Sequence, residues 1–468
     1  MDYDAAIEYL YSFARLMRGK ADTHTALSFN RFSALMSLLD QPQNRFRSIH
    51  VAGTKGKGST SRLIQSILMA AGYRVGLYTS PHIHSYRERI RIGDRLIGEA
   101  EVAAIVSRFP TLFASLQQQH PDLGTPGLFE WGTALAFLYF AAEQPDWVVV
   151  ETGIGGAFDP TNVVTPAAAV LTSISLDHVD VLGTTLSQIA AAKGGIIKPN
   201  IPAVSSQQVD AVRLVLDAVA DIREAPLTHV GEELWIVAGS ERLLRLPGQR
   251  AAASQQFSLA FAADFPTAGA NLPPLAVSLP LLGAYQRDNA PTAVAAALLA
   301  VPQLPLSAVQ VGLAGAQWPG RLEVLADQQG SPLLVVDGAH NPDAALRLRD
   351  DLGNHDLFDY ERIILILGTS ATHAPAEIVS ILAPPAAVLI VTRSRHLRAS
   401  DPASLATAAA LANPTAVLHI TEDVTDALRL AQELAGPRDL ICCTGSIFVM
   451  AEARAQFGHA AEVDRVQF

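Results

Sequence analysis

The residues best suited to chemistry lie in one octapeptide, Gly53-Thr54-Lys55-Gly56-Lys57-Gly58-Ser59-Thr60. Glycines let backbone N–H groups converge on phosphate oxygens, and a helix N-terminus adds positive potential. Lys57 supplies a point charge, and the hydroxyls of Ser59 and Thr60 suit the shell of a magnesium ion. The spacing departs from G-x-x-x-x-G-K-[ST], because Gly58 intervenes between Lys57 and Ser59. An ordinary glycine-rich turn accounts for three glycines. Two lysines and two hydroxyls among them point to nucleotide binding.

Lysine is scarce elsewhere. The chain has five, at positions 20, 55, 57, 193 and 198, so 29 of its 34 basic residues are arginine. A lysine kept in that background suits work a guanidinium does not do: a compact charge on a phosphate, or an amine that reacts. Compositional bias with chance clustering is the competing explanation.

Glu151 follows the apolar run 147–150 and opens a second glycine-rich stretch that reaches Asn162. A carboxylate at the C-terminal end of a parallel strand, beside the phosphate loop, is positioned to hold Mg²⁺. Asp177-His178 follows the run 168–171 in the same way. A lone histidine there is often structural, but a sheet end shared with Glu151 favours a ligand role. Further on, Trp318-Pro319-Gly320-Arg321-Leu322-Glu323 precedes a strand ending in Asp337-Gly338-Ala339-His340-Asn341-Pro342. Asp337 sits where open α/β sheets bind ligands.

These groups need a frame. Leu10, Phe13, Ala14 and Met17, then Leu35, Leu38 and Leu39, recur at helical spacing and predict two amphipathic helices. From Ser48, predicted strands at 49–51, 75–79, 147–150 and 168–171 alternate with helices at 59–71 and 129–142. That alternation predicts a mostly parallel sheet with helices on both faces. Between 226 and 280 the helical period fades, and the runs 234–237 and 243–246 predict a β-rich insertion, a hairpin elaboration on the domain edge. A helix over 287–299 stops before Pro302 and Pro305, which read as an interdomain linker. Strands then follow at 333–336, 363–367, 388–392, 416–420 and 440–443. The expectation is an α/β protein: a P-loop-containing parallel-sheet ATPase domain over 1–300, then a smaller Rossmann-like α/β domain over 301–468.

Length and composition fit this frame. The 468 residues allow two or three domains. With 49% hydrophobic and 17% charged residues, the chain is not disordered. A net charge of −11 argues against a nucleic-acid surface while leaving room for a local basic pocket. Cys442 and Cys443 are neighbours that cannot staple distant segments, and free thiols fit a reducing compartment. The acidic start Met1-Asp2-Tyr3-Asp4 is unlike a secretory signal, so the expected location is cytoplasmic. The apolar stretch 290–300 is shorter than the roughly 20 residues a membrane span needs.

Taken together, the residues resemble the folylpolyglutamate synthase/dihydrofolate synthase family, a branch of the Mur-ligase superfamily. The matching pieces are residues 50–60, Leu77-Tyr78-Thr79-Ser80-Pro81, Glu88-Arg89-Ile90, residues 151–162, Asp177-His178 with Leu182-Gly183, and residues 193–198. Gln286, Asn289-Ala290, the Trp318 and Asp337 motifs and Thr444-Gly445-Ser446 continue the match. The resemblance implies an ATP-dependent amide ligase, a monomer with nucleotide between two domains. It would add L-glutamate to a reduced folate, to dihydropteroate, or to both. By that similarity Ser80, Glu151 and His178 would surround Mg²⁺, with two ions expected. Lys193 would be carbamylated, and Asn289, Arg321 and Asp337 would complete the ATP site. Arg89, His340 and Ser446 match positions associated with the incoming glutamate. The sequence departs from the family pattern at Tyr285, at Ala192 and at Thr372-His373-Ala374, where histidine, glutamate and an Asp-Lys-Asp motif are usual. Two alternatives stay open: a Mur-type ligase for another carboxylate, and a P-loop switch whose nucleotide turnover is independent of any amino acid. The 52 residues before Gly53 are few for the separate UDP-binding domain of peptidoglycan ligases.

Overall fold

The computed structural model describes residues 1–16, 25–266, 272–371, 374–459 and 464. The first unit is built on eight strands: β1 (Ser48–Ala52), β2 (Val75–Tyr78), β3 (Ile90–Ile92), β4 (Arg95–Leu96), β5 (Trp147–Glu151), β6 (Ala168–Leu171), β7 (Ala203–Ser205) and β8 (Leu227–His229). Their order is β4-β3-β2-β5-β1-β6-β7-β8. Six run parallel, and β3 and β4 form an antiparallel hairpin at one edge. Every residue of β1, β2, β5 and β6 is buried, which is why these strands read as continuous apolar runs.

One face of this sheet packs on the helices Tyr3–Leu16, Ala26–Leu38 and Leu128–Glu143 through Phe13, Phe32, Trp131 and Phe137. The other takes the phosphate-loop helix, Lys57–Ala70, and the alanine-rich helix Ala284–Ala300. A further helix, Leu306–Ala314, lies so close to the phosphate-loop helix that a Cβ on Gly312 would come within 2.4 Å of Ile67 Cα. Val309, Leu313 and Ala316 belong to the same core. The linker expected at Pro302 and Pro305 is therefore a turn between two helices of the first unit. Its prolines stop one helix and start the next, and Pro305 is the N-cap of Leu306–Ala314. The chain passes to the second unit between Ala316 and Glu323.

The expected edge hairpin is instead a separate antiparallel sheet of β9 (Leu234–Ile236), β10 (Arg242–Leu244), β11 (Ser254–Phe261) and β12 (Leu275–Leu279). Leu275, Val277 and Leu279 alternate inward and join Phe257 and Leu259 in the core of the alanine-rich helix.

The second unit has β13 (Glu323–Ala326), β14 (Leu333–Val336), β15 (Ile363–Leu367), β16 (Ala386–Val391), β17 (Val417–Ile420) and β18 (Leu440–Thr444), ordered β13-β14-β18-β15-β16-β17. All pairs are parallel except β13 with β14. Cys442 and Cys443 are buried in β18 as free thiols. Among the described residues no helix is long and apolar enough to cross a membrane.

Candidate active site

β1 and β5 are parallel neighbours, so the turn after β1 and the last residue of β5, Glu151, emerge side by side. Gly56 caps the phosphate-loop helix at φ +84°, where a Cβ would stand 2.2 Å from Asn289 Oδ1. Only glycine fits between this loop and the alanine-rich helix. Asn289 Nδ2 donates to Gln286 Oε1 at 3.0 Å, and Gln286 Nε2 donates to Ser59 Oγ at 3.3 Å. The three lysines are arranged around the same turn. Lys57 Nζ donates to Gly53 O at 3.1 Å, Lys193 Nζ donates to that same carbonyl at 2.8 Å, and Lys55 Nζ pairs with Asp177 Oδ2 at 3.0 Å.

These charges are short of partners. Burial pushes the Glu151 carboxyl up to about 7 despite nearby Lys57 and the Ser80 N–H, which donates to Oε2 at 3.2 Å. Burial lowers Lys57, and burial with the charge of Lys57 lowers Lys193 to about 7. The oxygens of Glu151 and of the Ser80 hydroxyl, which face the same space, suit a hard divalent cation. Among the described residues no three His, Cys, Asp or Glu side chains gather as a metal cage. Such an ion would complete its shell with phosphate and water.

Asp159 is a further organiser that the sequence reading left without a role. It is buried, it accepts the N–H groups of Gly153, Ile154 and Thr161 at 2.9, 3.1 and 3.0 Å, and burial pushes it up to about 6. It thereby folds the glycine-rich stretch back over the end of β5. Its signal in the sequence is an Asp before Pro160, a helix-start pattern, here of a single 3₁₀ turn.

The second unit contributes the opposite wall. Asp337, after β14, accepts the N–H groups of Leu322 and Ala339, both at 2.8 Å, and so fixes the turn that carries Arg321. His340 Nδ1 lies 2.8 Å from Gly338 O. A cavity of about 1820 Å³ joins the walls: Lys57, Ser80, Glu151 and His178 line it from the first unit, Arg321, Asp337 and His340 from the second. Thr54, Lys55, Gly56, Gly58, Ser59 and Asn289 also face it. So does Arg89, whose Nε donates to His82 Nδ1 at 2.9 Å. His82, the residue that follows Ser80-Pro81, is a partner that the sequence reading missed.

Four expected site residues are not on this wall: Gly53, Thr60, Lys193 and Ser446. Gly53 and Lys193 brace the loop from behind. Ser446 is buried and caps the helix Ile447–Gln456, its Oγ accepting the Phe448 N–H at 3.2 Å, so its neighbour Ile447 faces the cavity instead. Thr372 and His373 lie outside the described residues.

Residues 51–204 match the Mur ligase middle domain, and residues 320–447 match the Mur ligase glutamate ligase domain. The dihydrofolate synthase/folylpolyglutamate synthase of Bacillus subtilis is 33% identical over 91% of this chain and 93% of its own. A probable bifunctional folylpolyglutamate synthase/dihydropteroate synthase of Haloferax volcanii is 33% identical over 98% of this chain, which spans about half (51%) of that longer protein. The folylpolyglutamate synthase of Mycobacterium tuberculosis, solved with ADP, superposes with a TM-score of 0.82 at 32% identity, covering 97% of this chain and 99% of that one. A phosphate loop under Glu151, closed by an Arg321 turn from a second sheet, thus occurs in a chain that belongs to the folylpolyglutamate synthase/dihydrofolate synthase family of Mur ligases.

Proposed function

We propose that the protein is an ATP-dependent amide ligase that joins L-glutamate to a folate and releases ADP and phosphate. The observation that carries this reading is the single cavity with the phosphate loop and Glu151 on one wall and Arg321, Asp337 and His340 on the other. The names of the relatives extend the reading to dihydropteroate as a second acceptor. Use of ATP and the free thiols Cys442 and Cys443 fit a reducing cytoplasm.

A carboxylate is a poor acyl donor because it would have to expel oxide. Its oxygen therefore attacks the γ-phosphorus of ATP, the bond to the bridging oxygen breaks, and ADP leaves. The α-amino group of glutamate then attacks the acyl carbon, phosphate departs with the former carboxylate oxygen, and the nitrogen loses a proton. Lys57 and the loop N–H groups hold the phosphates, while Asn289, Arg321 and Asp337 complete the nucleotide site. Arg89 and His340 orient the incoming glutamate, and Ser446 acts only through the helix it caps. Glu151, Ser80 and His178 would hold magnesium, and a carbamylated Lys193 would help hold a second ion; bound there, magnesium would supply charge neutralisation for the transferring phosphoryl. Two walls closing over the cleft exclude water from the acyl phosphate.

Lys193 is the carbamylation site in this reading. An amine held near 7 is partly neutral at physiological pH, and a neutral amine adds CO₂. The carbamate keeps one N–H, so the bond to Gly53 O survives while a new anionic group forms. Lys193→Arg is expected to lose most activity, and removing bicarbonate at fixed pH and magnesium to slow the wild type. A fully active Lys193→Arg, or a rate indifferent to bicarbonate, contradicts the carbamate. The reading as a whole is tested by product mass after mixing the protein with ATP, glutamate and either tetrahydrofolate or dihydropteroate. Glutamate-dependent gain of one residue is expected, and ATP hydrolysis indifferent to glutamate would favour a nucleotide switch.

A further inference from the structure

The turn that carries Arg321 is strained, and it leans on a chain of polar contacts that ends in the other unit. Leu322 sits in the left-handed region at φ +45°, a conformation that is strained for a residue with a side chain. Asp337 holds the turn from one side. From the other, Glu323 Oε2 accepts the Gly320 N–H at 2.7 Å. That carboxylate is gripped by Arg454 of the helix Ile447–Gln456, whose Nε donates to Oε2 at 2.7 Å and Nη2 to Oε1 at 3.2 Å. Arg454 is only 6% exposed, and its remaining nitrogen crosses to the first unit, where Nη1 meets His84 Nε2 at 3.0 Å.

A guanidinium only donates, so Nε2 accepts and His84 carries its proton on Nδ1. The ring's place is itself fixed. The Glu88 carboxylate accepts the N–H groups of Ile83, His84 and Ser85 at 2.8, 2.8 and 3.0 Å. Asp464 grips the same loop, accepting the Tyr86 N–H at 2.6 Å and the Ser85 hydroxyl at 2.9 Å.

We propose that Arg454 is a positioning residue for the ligation. Through Glu323 it holds the Arg321 turn, and through His84 it does so fully only when the second unit sits on the first. The inference rests on the nucleotide role given to Arg321 above. Docking of the two units and delivery of Arg321 then become one event.

The test uses the full chain and three substitutions. His84→Gln returns an amide oxygen to the guanidinium, His84→Leu fills the space without an acceptor, and Arg454→Met keeps the apolar stem without the donors. Hydrogen exchange of the 318–326 segment is expected to quicken about tenfold in His84→Leu and Arg454→Met and to stay near wild type in His84→Gln. In turnover with ATP, glutamate and tetrahydrofolate, His84→Leu and Arg454→Met should lose about tenfold in kcat with little change in KM for ATP. His84→Gln should recover most of that, and the double variant His84→Leu with Arg454→Met should be no slower than Arg454→Met alone. Wild-type exchange and kcat in His84→Leu would overturn the proposal, and so would losses that multiply in the double variant. If Arg454→Met fails to fold, the His84 pair decides the matter. A wild type that forms no amide would instead strike at the ligase reading and leave exchange to judge the link.

Discussion

The two walls of the cleft treat charge in opposite ways. On the first, Glu151 is pushed up to about 7 and Lys57 is depressed, and behind that wall Lys193 is lowered to about 7, each by burial that its neighbours do not offset. On the second, burial also raises Asp337, yet both of its oxygens accept a backbone N–H, and Glu323 is matched by two nitrogens of Arg454. A buried charge without a partner is costly, and a ligand that supplies the partner recovers that cost. That contrast suits the proposed function, in which the first wall binds phosphate and cation and the second presents Arg321 in a fixed pose. On the proposed function, affinity for nucleotide would reside mainly in the first unit and timing of catalysis in the second.

Substitutions on each wall sharpen this contrast. The largest effect belongs to Lys57→Ala, which removes the charge at the phosphates: turnover should fall about 10³-fold and nucleotide binding should weaken with it. Arg321→Ala should slow turnover about 10²-fold while leaving most first-unit nucleotide affinity in place, as read by direct binding of ADP. Loss of affinity with an unchanged maximal rate would reverse the assignment of the walls. Smallest at neutral pH is the effect of His50, buried in β1 with Nε2 2.8 Å from Thr161 Oγ1 and lowered by burial to about 3. Its folded value lies below the usual 6.5, so its contribution is present above pH 6.5 and is lost as pH falls towards 3. Asp159, raised to about 6, works the other way between 3.8 and 6 and offsets part of that loss. Urea unfolding between pH 7 and 4 should show a shallower acid loss in His50→Gln than in the wild type, by about 2 kcal/mol. Equal slopes would remove His50 from the acid response.

Much of this arrangement is legible in the residues. Strands buried on both faces announce themselves as apolar runs, which is why 168–171, 333–336 and 363–367 coincide with β6, β14 and β15. The phosphate loop, Glu151 and Asp337 follow from the rule that ligands gather at the C-terminal ends of parallel strands. Tertiary packing was not legible. Pro302 and Pro305 mark a break in helix equally well at a linker and at a tight turn, and only the contact of Gly312 with Ile67 decides between them. The antiparallel sheet is hidden because β9 and β10 have only three residues each, while the eight-residue β11 carries Ser254, Gln255, Gln256 and Ser258 among its apolar residues. Ser446 has the residue type of a ligand and the position of a helix cap, and the backbone claims its hydroxyl. Arg454 lies 370 residues from its partner His84, so no local spacing brings the two together.

The central claim, that ATP activates a carboxylate which this cleft then delivers to an amine, is tested most directly by oxygen transfer. A folate substrate labelled with ¹⁸O in its glutamyl carboxylates is incubated with the protein, ATP, magnesium and L-glutamate, and the released phosphate is analysed by mass. The acyl-phosphate route predicts one ¹⁸O in phosphate for each amide formed from a fully labelled carboxylate. Unlabelled phosphate, or release of AMP and pyrophosphate in its place, would contradict it.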